Sequence, residues 1–200
     1  MKIFKISVSI LLSCIFSLVI LFSLSLAKMQ NSFDKDLYDN VIRLHVIANS
    51  DSEDDQNAKM KIKDNVAAYI FSLTENAENA VQASQIIESN IGAIEECVKS
   101  TCLALGYDYE TQVVFSKENY PVRYYDNFTF PAGNYKSLRI KLGSAKGKNW
   151  WCVLYPSLCI PGNDTAKSKL SNAGISDETA TYITEDKYKI RFFLLDWIGL

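Results

Sequence analysis

The sequence predicts an α+β fold: a mostly antiparallel sheet with two amphipathic helices packed on one face, preceded by an N-terminal signal or transmembrane segment. Three observations carry that expectation. An uncharged run of 22 residues lies near the start of the chain, two stretches of helical apolar period follow one β-rich segment, and beyond Gly106 the apolar period falls toward two.

The uncharged run covers residues 6–27 and is preceded by Lys2 and Lys5. As a helix it would reach roughly 33 Å, enough to cross a bilayer's hydrocarbon core. The basic flank should stay in the cytoplasm, which sends everything after Lys28 outside. Ser25-Leu26-Ala27 offers small residues at the −3 and −1 positions of a signal-peptidase site, and the six serines of the run lower its hydrophobicity. Residues 1–27 therefore read as a signal peptide or membrane anchor, with cleavage favoured over permanent anchoring. Residues 28–39 read as a polar linker and 40–200 as one domain.

Within that domain, residues 41–48 (VIRLHVIA) are β-rich and apolar enough for a buried strand. Ser52 and Asp55 then stand at capping-box spacing before a helix whose Ile62, Val66, Tyr69, Ile70 and Leu73 share a face. A second helix is expected over about 80–105 from Ile87, Ile91, Ile94, Val98 and Cys102, with Gly106 as its C′ residue. Strands are expected at 112–116, 136–142, 150–155 and 187–195, and residues 161–186 should form a long excursion holding one or two short helices.

Composition narrows the function classes. The chain has 200 residues, 48% of them apolar and 22% charged, which excludes wholesale disorder. Its net charge is −2 overall, and residues 28–200 hold 19 positive and 23 negative side chains. A nucleic-acid binder would need a cationic excess that is absent here.

Four cysteines follow Cys14, and they allow three full pairings. Cys97 and Cys102 fall in helical sequence, where positions five apart have Cα atoms about 8.7 Å apart, beyond disulfide reach. Cys152 and Cys159 flank a turn-prone segment and are expected to lie close enough to bridge. The six-residue gap between them argues against a four-cysteine zinc site. The sole histidine, His45, sits mid-strand; a Cys-His-Asn arrangement of Cys152, His45 and Asn49 is conceivable, but a backbone-bonded sheet histidine is the favoured reading. Asp51, Asp54 and Asp55 depart from EF-hand spacing, so capping accounts for them. The Gly143–Asn149 turn runs into a strand, whereas a phosphate loop runs into a helix. No metal or cofactor constellation stands out.

Side chains on a strand alternate, so Trp150 and Trp151 must point to opposite sides. Cys152 is a usually buried type and shares a face with Trp150 and Leu154. Trp151 is then left beside Val153 and Tyr155, next to the cationic turn of Lys146 and Lys148. Trp151, Tyr155, Lys146 and Lys148 are therefore the expected partner-binding residues. Burial of both tryptophans in a sheet covered on both sides is the competing expectation.

The ordered segments also resemble a known family. Arg43-Leu44-His45-Val46-Ile47-Ala48-Asn49-Ser50-Asp51-Ser52-Glu53-Asp54-Asp55-Gln56 is similar to the opening motif of stage II sporulation protein R. Tyr120-Pro121, Phe130-Pro131-Ala132-Gly133-Asn134-Tyr135, Ser137-Leu138-Arg139 and the run from Gly147 to Cys159 resemble its later blocks in order. Of these matching residues, His45, Asn49, Asp51, Arg139, Asn149 and Trp150 are expected to serve the structure. The resemblance implies an exported protein of the forespore, acting in the space between forespore and mother-cell membranes. Its implied partner is a membrane-embedded mother-cell protease that processes the sigma-E precursor, and it implies no catalysis and no cofactor. The alternative is an exported hydrolase or peptidase using His45 and a cysteine.

Overall fold

A computed structural model describes residues 2–159 and 165–184, and the chain divides into two units, residues 1–36 and 37–200. The strand expected at 187–195 lies outside the described residues.

The first unit lies within a single helix, α1 (Lys2–Asn40), whose stretch Ile10–Lys28 is long and apolar enough to cross a membrane at a mean hydropathy of 2.6. That segment is compatible with a signal peptide or an anchor. Residues 28–39, expected as a polar linker, continue this helix. These residues include neither Gly nor Pro, so nothing in the backbone stops a helix already nucleated upstream.

In the second unit, the last turn of α1 buries Leu37 completely, and Tyr38 sets its ring edge-on to Tyr135 with 4.7 Å between centroids. Strand β1 (Ile42–Ile47) leads to α2 (Glu53–Thr74). The single helix expected over 80–105 is two: α3 (Ala80–Ser89) and α4 (Ile91–Ala104). They meet at Asn90, which closes α3 through its N–H to Ile87 O at 3.1 Å and its Nδ2 to Ile86 O at 2.8 Å. Asn at such a joint competes with the helical backbone for its own hydrogen bonds, and the apolar period alone does not reveal the break.

Strands β2 (Thr111–Tyr120), β5 (Gly133–Leu142) and β6 (Asn149–Tyr155) join β1 in a sheet of order β2-β5-β1-β6, while β3 (Arg123–Tyr124) and β4 (Thr129–Phe130) form a separate short ribbon. β1 runs parallel to β5, and the pairs β1–β6 and β2–β5 are antiparallel. Helices α5 (Ala166–Asn172) and α6 (Asp177–Thr184) lie within the expected excursion.

The alternation of β1 sorts the two faces. Ile42, Leu44 and Val46 join Leu138, Ile140 and Leu142 of β5 against Ile62, Val66, Ile70, Ile87, Ile94 and Val98 of the helices, forming the main apolar core. Arg43 and His45 emerge on the other face, where the fold is aromatic and polar.

Candidate functional site

Two adjoining structures gather the motif residues: the turn at one end of the sheet and the face opposite the helices.

At the turn, Asn49 Oδ1 accepts from Ser144 N–H at 2.8 Å and its Nδ2 donates to Asp55 Oδ2 at 2.9 Å. Asp51 Oδ1 accepts from Lys148 N–H at 2.6 Å, and Ser52 Oγ caps α2 by accepting from Asp55 N–H at 3.2 Å. Lys59 Nζ reaches across from α2 to Lys148 O at 3.1 Å. One acidic stretch thus starts a helix and fastens the connection that carries the chain from β5 past the end of β1 to β6. The approach is too close for side chains at two glycines. A Cβ on Gly147 would lie 2.2 Å from Ser50 O, and one on Gly143, whose φ is +56°, 2.3 Å from Asn49 Oδ1. Hydrogen bonds from Ser50 and Tyr109 hold the Asp55 carboxyl below the ordinary carboxylate range, against the opposing effect of burial.

On the sheet face, His45 is 4% exposed and stacks on Trp151 with 3.7 Å between ring centroids. Its Nδ1 donates to Glu118 Oε1 at 2.9 Å, and its Nε2 lies 2.8 Å from Asn149 Oδ1. Glu118 also accepts from Ser137 Oγ at 3.1 Å and from Arg139 Nη1 at 3.4 Å. Arg43 is fully buried with its guanidinium carbon 4.4, 4.9 and 5.0 Å from the rings of Tyr120, Phe130 and Tyr135. Its Nε donates to Cys152 O and its Nη2 to Tyr125 Oη, both at 2.9 Å. The aromatic cage supplies attraction to a cation that water no longer solvates. Burial in turn pushes the Tyr120 and Tyr125 phenols above their ordinary range.

The expected residues separate as follows. His45, Arg139, Asn149 and Trp151 meet on this face; Asn49 and Asp51 hold the turn. Trp151 is half-buried, clasped between His45 and the guanidinium of Arg123, which lies 4.9 Å above its ring. Lys146 and Lys148 are exposed on the turn. Trp150 lies toward the helices, with Lys63 Nζ 4.9 Å from its ring. Tyr155 departs from the expected alternation: the register slips between Ile42 and Arg43, so that Ile42 faces Tyr155 and Arg43 faces Val153. The bulge takes up one residue, and Tyr155 joins Leu154 at the helical core, its hydroxyl donating to Ala77 O at 3.3 Å.

Cys152 and Cys159 form a disulfide with a Cα–Cα distance of 5.8 Å, while Cys97 and Cys102 remain free in the unbroken α4. Burial raises the Cys102 thiol to about 11. The sheet separates His45 from Cys152, and the Cys152 sulfur is already bonded, so the conceived Cys-His-Asn arrangement is not assembled. A shallow concavity elsewhere is lined by Glu95, Glu96, Lys99, Asp108 and Glu110. No cluster of three or more His, Cys, Asp or Glu able to hold a metal occurs among the described residues.

Sequence reasoning assigned no site role to Glu118, Tyr120, Arg123 or Tyr125. The alternation of Ser116, Glu118 and Tyr120 extends β2 past Ser116 and was the available signal for two of them.

Comparison with known proteins matches the model of stage II sporulation protein R to residues 38–167. The chain is 32% identical over 181 residues to the stage II sporulation protein R of Bacillus subtilis (strain 168), covering 80% of this chain and 81% of that one. No solved structure matches it. The residues that build the turn and the polar face lie inside the matched span, and the chain belongs to the stage II sporulation protein R family.

Proposed function

We propose that this protein is an exported sporulation signal, carried out of the forespore by its N-terminal segment and acting between the two membranes on a membrane-embedded mother-cell protease. That protease then processes the sigma-E precursor. The observation that carries the reading is the family match, joined to an apolar N-terminal helix long enough to direct the chain to a membrane. The site's chemistry supports a binding role: both ring nitrogens of His45 are engaged by fixed side chains, and the Tyr120 hydroxyl bonds Ser137 Oγ, which in turn donates to Glu118. Recognition is assigned to the face that carries the half-buried Trp151, together with the exposed Lys146 and Lys148 of the turn before β6.

Co-expression tests this reading. Residues 28–200 behind an unrelated export signal, produced with the protease and the precursor, should trigger processing, and the same residues without an export signal should not. Processing that is equal with and without export would refute it.

A further inference from the structure

The face opposite the helices carries a row of side chains across the strands. Arg139 of β5 is the cross-strand neighbour of His45 in β1, and His45 is that of Trp151 in β6. The imidazole covers one face of the indole and leaves the other to the Arg123 guanidinium. A cation therefore stands at each end of the row. Behind it lies a third, Arg43, sealed among aromatic rings.

These cations are under-compensated. Glu118 is the one carboxylate in ion-pairing distance of this row among the described residues, and it serves His45 and Arg139 together. Arg43 Nη1, Arg123 Nε and Arg139 Nε are buried N–H donors with no acceptor. Buried polar groups normally find partners, and three orphans from three guanidiniums on one face form a pattern. The Nε edge is the one that grips a carboxylate with two parallel hydrogen bonds, and on both Arg123 and Arg139 its Nε–H is buried without a partner, so an arriving carboxylate would satisfy a donor that water does not reach.

We propose that this face is a docking site for an acidic, extended segment of the membrane receptor, with one carboxylate on Arg123 and another on Arg139. The receptor's identity rests on the proposed function; the chemistry of the site does not. Strand spacing puts the two guanidiniums roughly 14 Å apart, too far for one carboxylate but close to the span of four extended residues. Two Asp or Glu side chains four positions apart on a strand, pointing the same way, fit both ends while the intervening residues pass over Trp151, with the 4% exposed His45 buried beneath them. Tyr124, 67% exposed beside Arg123, extends the apolar border of the site.

The test uses the full chain in detergent micelles, labelled with nitrogen-15 and followed through its arginine Nε–Hε resonances. The probe is the synthetic peptide Glu-Thr-Val-Thr-Glu, with Gln-Thr-Val-Thr-Gln as its neutral counterpart. The acidic peptide should shift the Arg123 and Arg139 signals saturably at millimolar concentration, and the neutral one should leave them in place. Arg139→Gln should weaken the acidic peptide at least fivefold; if that variant loses its folded amide spectrum, Arg123→Gln provides the same comparison. Equal shifts with both peptides, or none with either, overturn the proposal. In the co-expression assay Arg123→Glu should lower processing at least tenfold with secretion unchanged, and wild-type processing by that variant overturns the assignment to the receptor. Failure of the unaltered chain to trigger processing strikes the proposed function, and the peptide titration then decides the site by itself.

Discussion

Gly147 and His45 show how single residues are fixed by what surrounds them. A methyl at Gly147 collides with a backbone oxygen, which cannot swing aside as a flexible side chain could. Gly147→Ala should therefore cost about 1–3 kcal/mol, as overpacking does, measured as a drop in urea-unfolding free energy. His45 contributes an aromatic stack and contacts to Glu118 and Asn149. His45→Ala leaves Glu118 short of a donor and should cost about 1–3 kcal/mol, while the folded fraction continues to trigger processing. A stably folded His45→Ala chain that cannot signal would contradict this role. The capping-rich turn around Asn49 was legible in the sequence, but the reading of His45 as bonded to backbone needs correcting, because Glu118 and Asn149 come from other strands and only the sheet pairing brings their side chains to its ring. Arg43 as a caged cation was not legible, since four aromatic residues from distant segments must converge before its burial becomes tolerable.

The start of α2 depends on Ser52, and Ser52→Ala should lower stability by about 1 kcal/mol. Asp55, three residues into the cap, adds a pH dependence of known sign. Its carboxyl is held below the ordinary value, so it contributes stability above about pH 4, the unfolded-state range, and that contribution is lost as pH falls through the folded-state value. Asp55→Asn should flatten this part of the acid-unfolding curve, as followed by circular dichroism between pH 5 and 2. The Cys152–Cys159 bridge closes a short loop at the end of β6, and Cys152→Ala/Cys159→Ala should cost about 2 kcal/mol. Mass spectrometry of the exported, unreduced protein should find Cys97 and Cys102 as the free thiols. The pairing was readable because five residues of unbroken helix keep Cys97 from Cys102. The division of α3 from α4 and the bulge that turns Tyr155 inward were not, because each changes one residue's phase without altering composition.

For the whole molecule, the two faces of one sheet divide the labour. Ile42, Leu44 and Val46 anchor the helices, and the residues between them in β1 reach a face where cations, aromatic rings and one carboxylate crowd together. The α+β class and the mostly antiparallel sheet followed from periodicity alone. The parallel pairing of β1 with β5 did not, because strand order depends on contacts between segments some ninety residues apart. That same pairing sets Arg139 beside His45, so the site could be named residue by residue but not assembled. The proposed role is signalling through that surface, without chemistry by His45 or the cysteines. The most direct measurement is precursor processing by the full chain bearing His45→Ala, Cys152→Ala and Cys159→Ala together, normalised to folded, exported protein. Processing should stay at the level of the unaltered chain; a folded and exported triple variant that leaves the precursor uncleaved would overturn the proposed role.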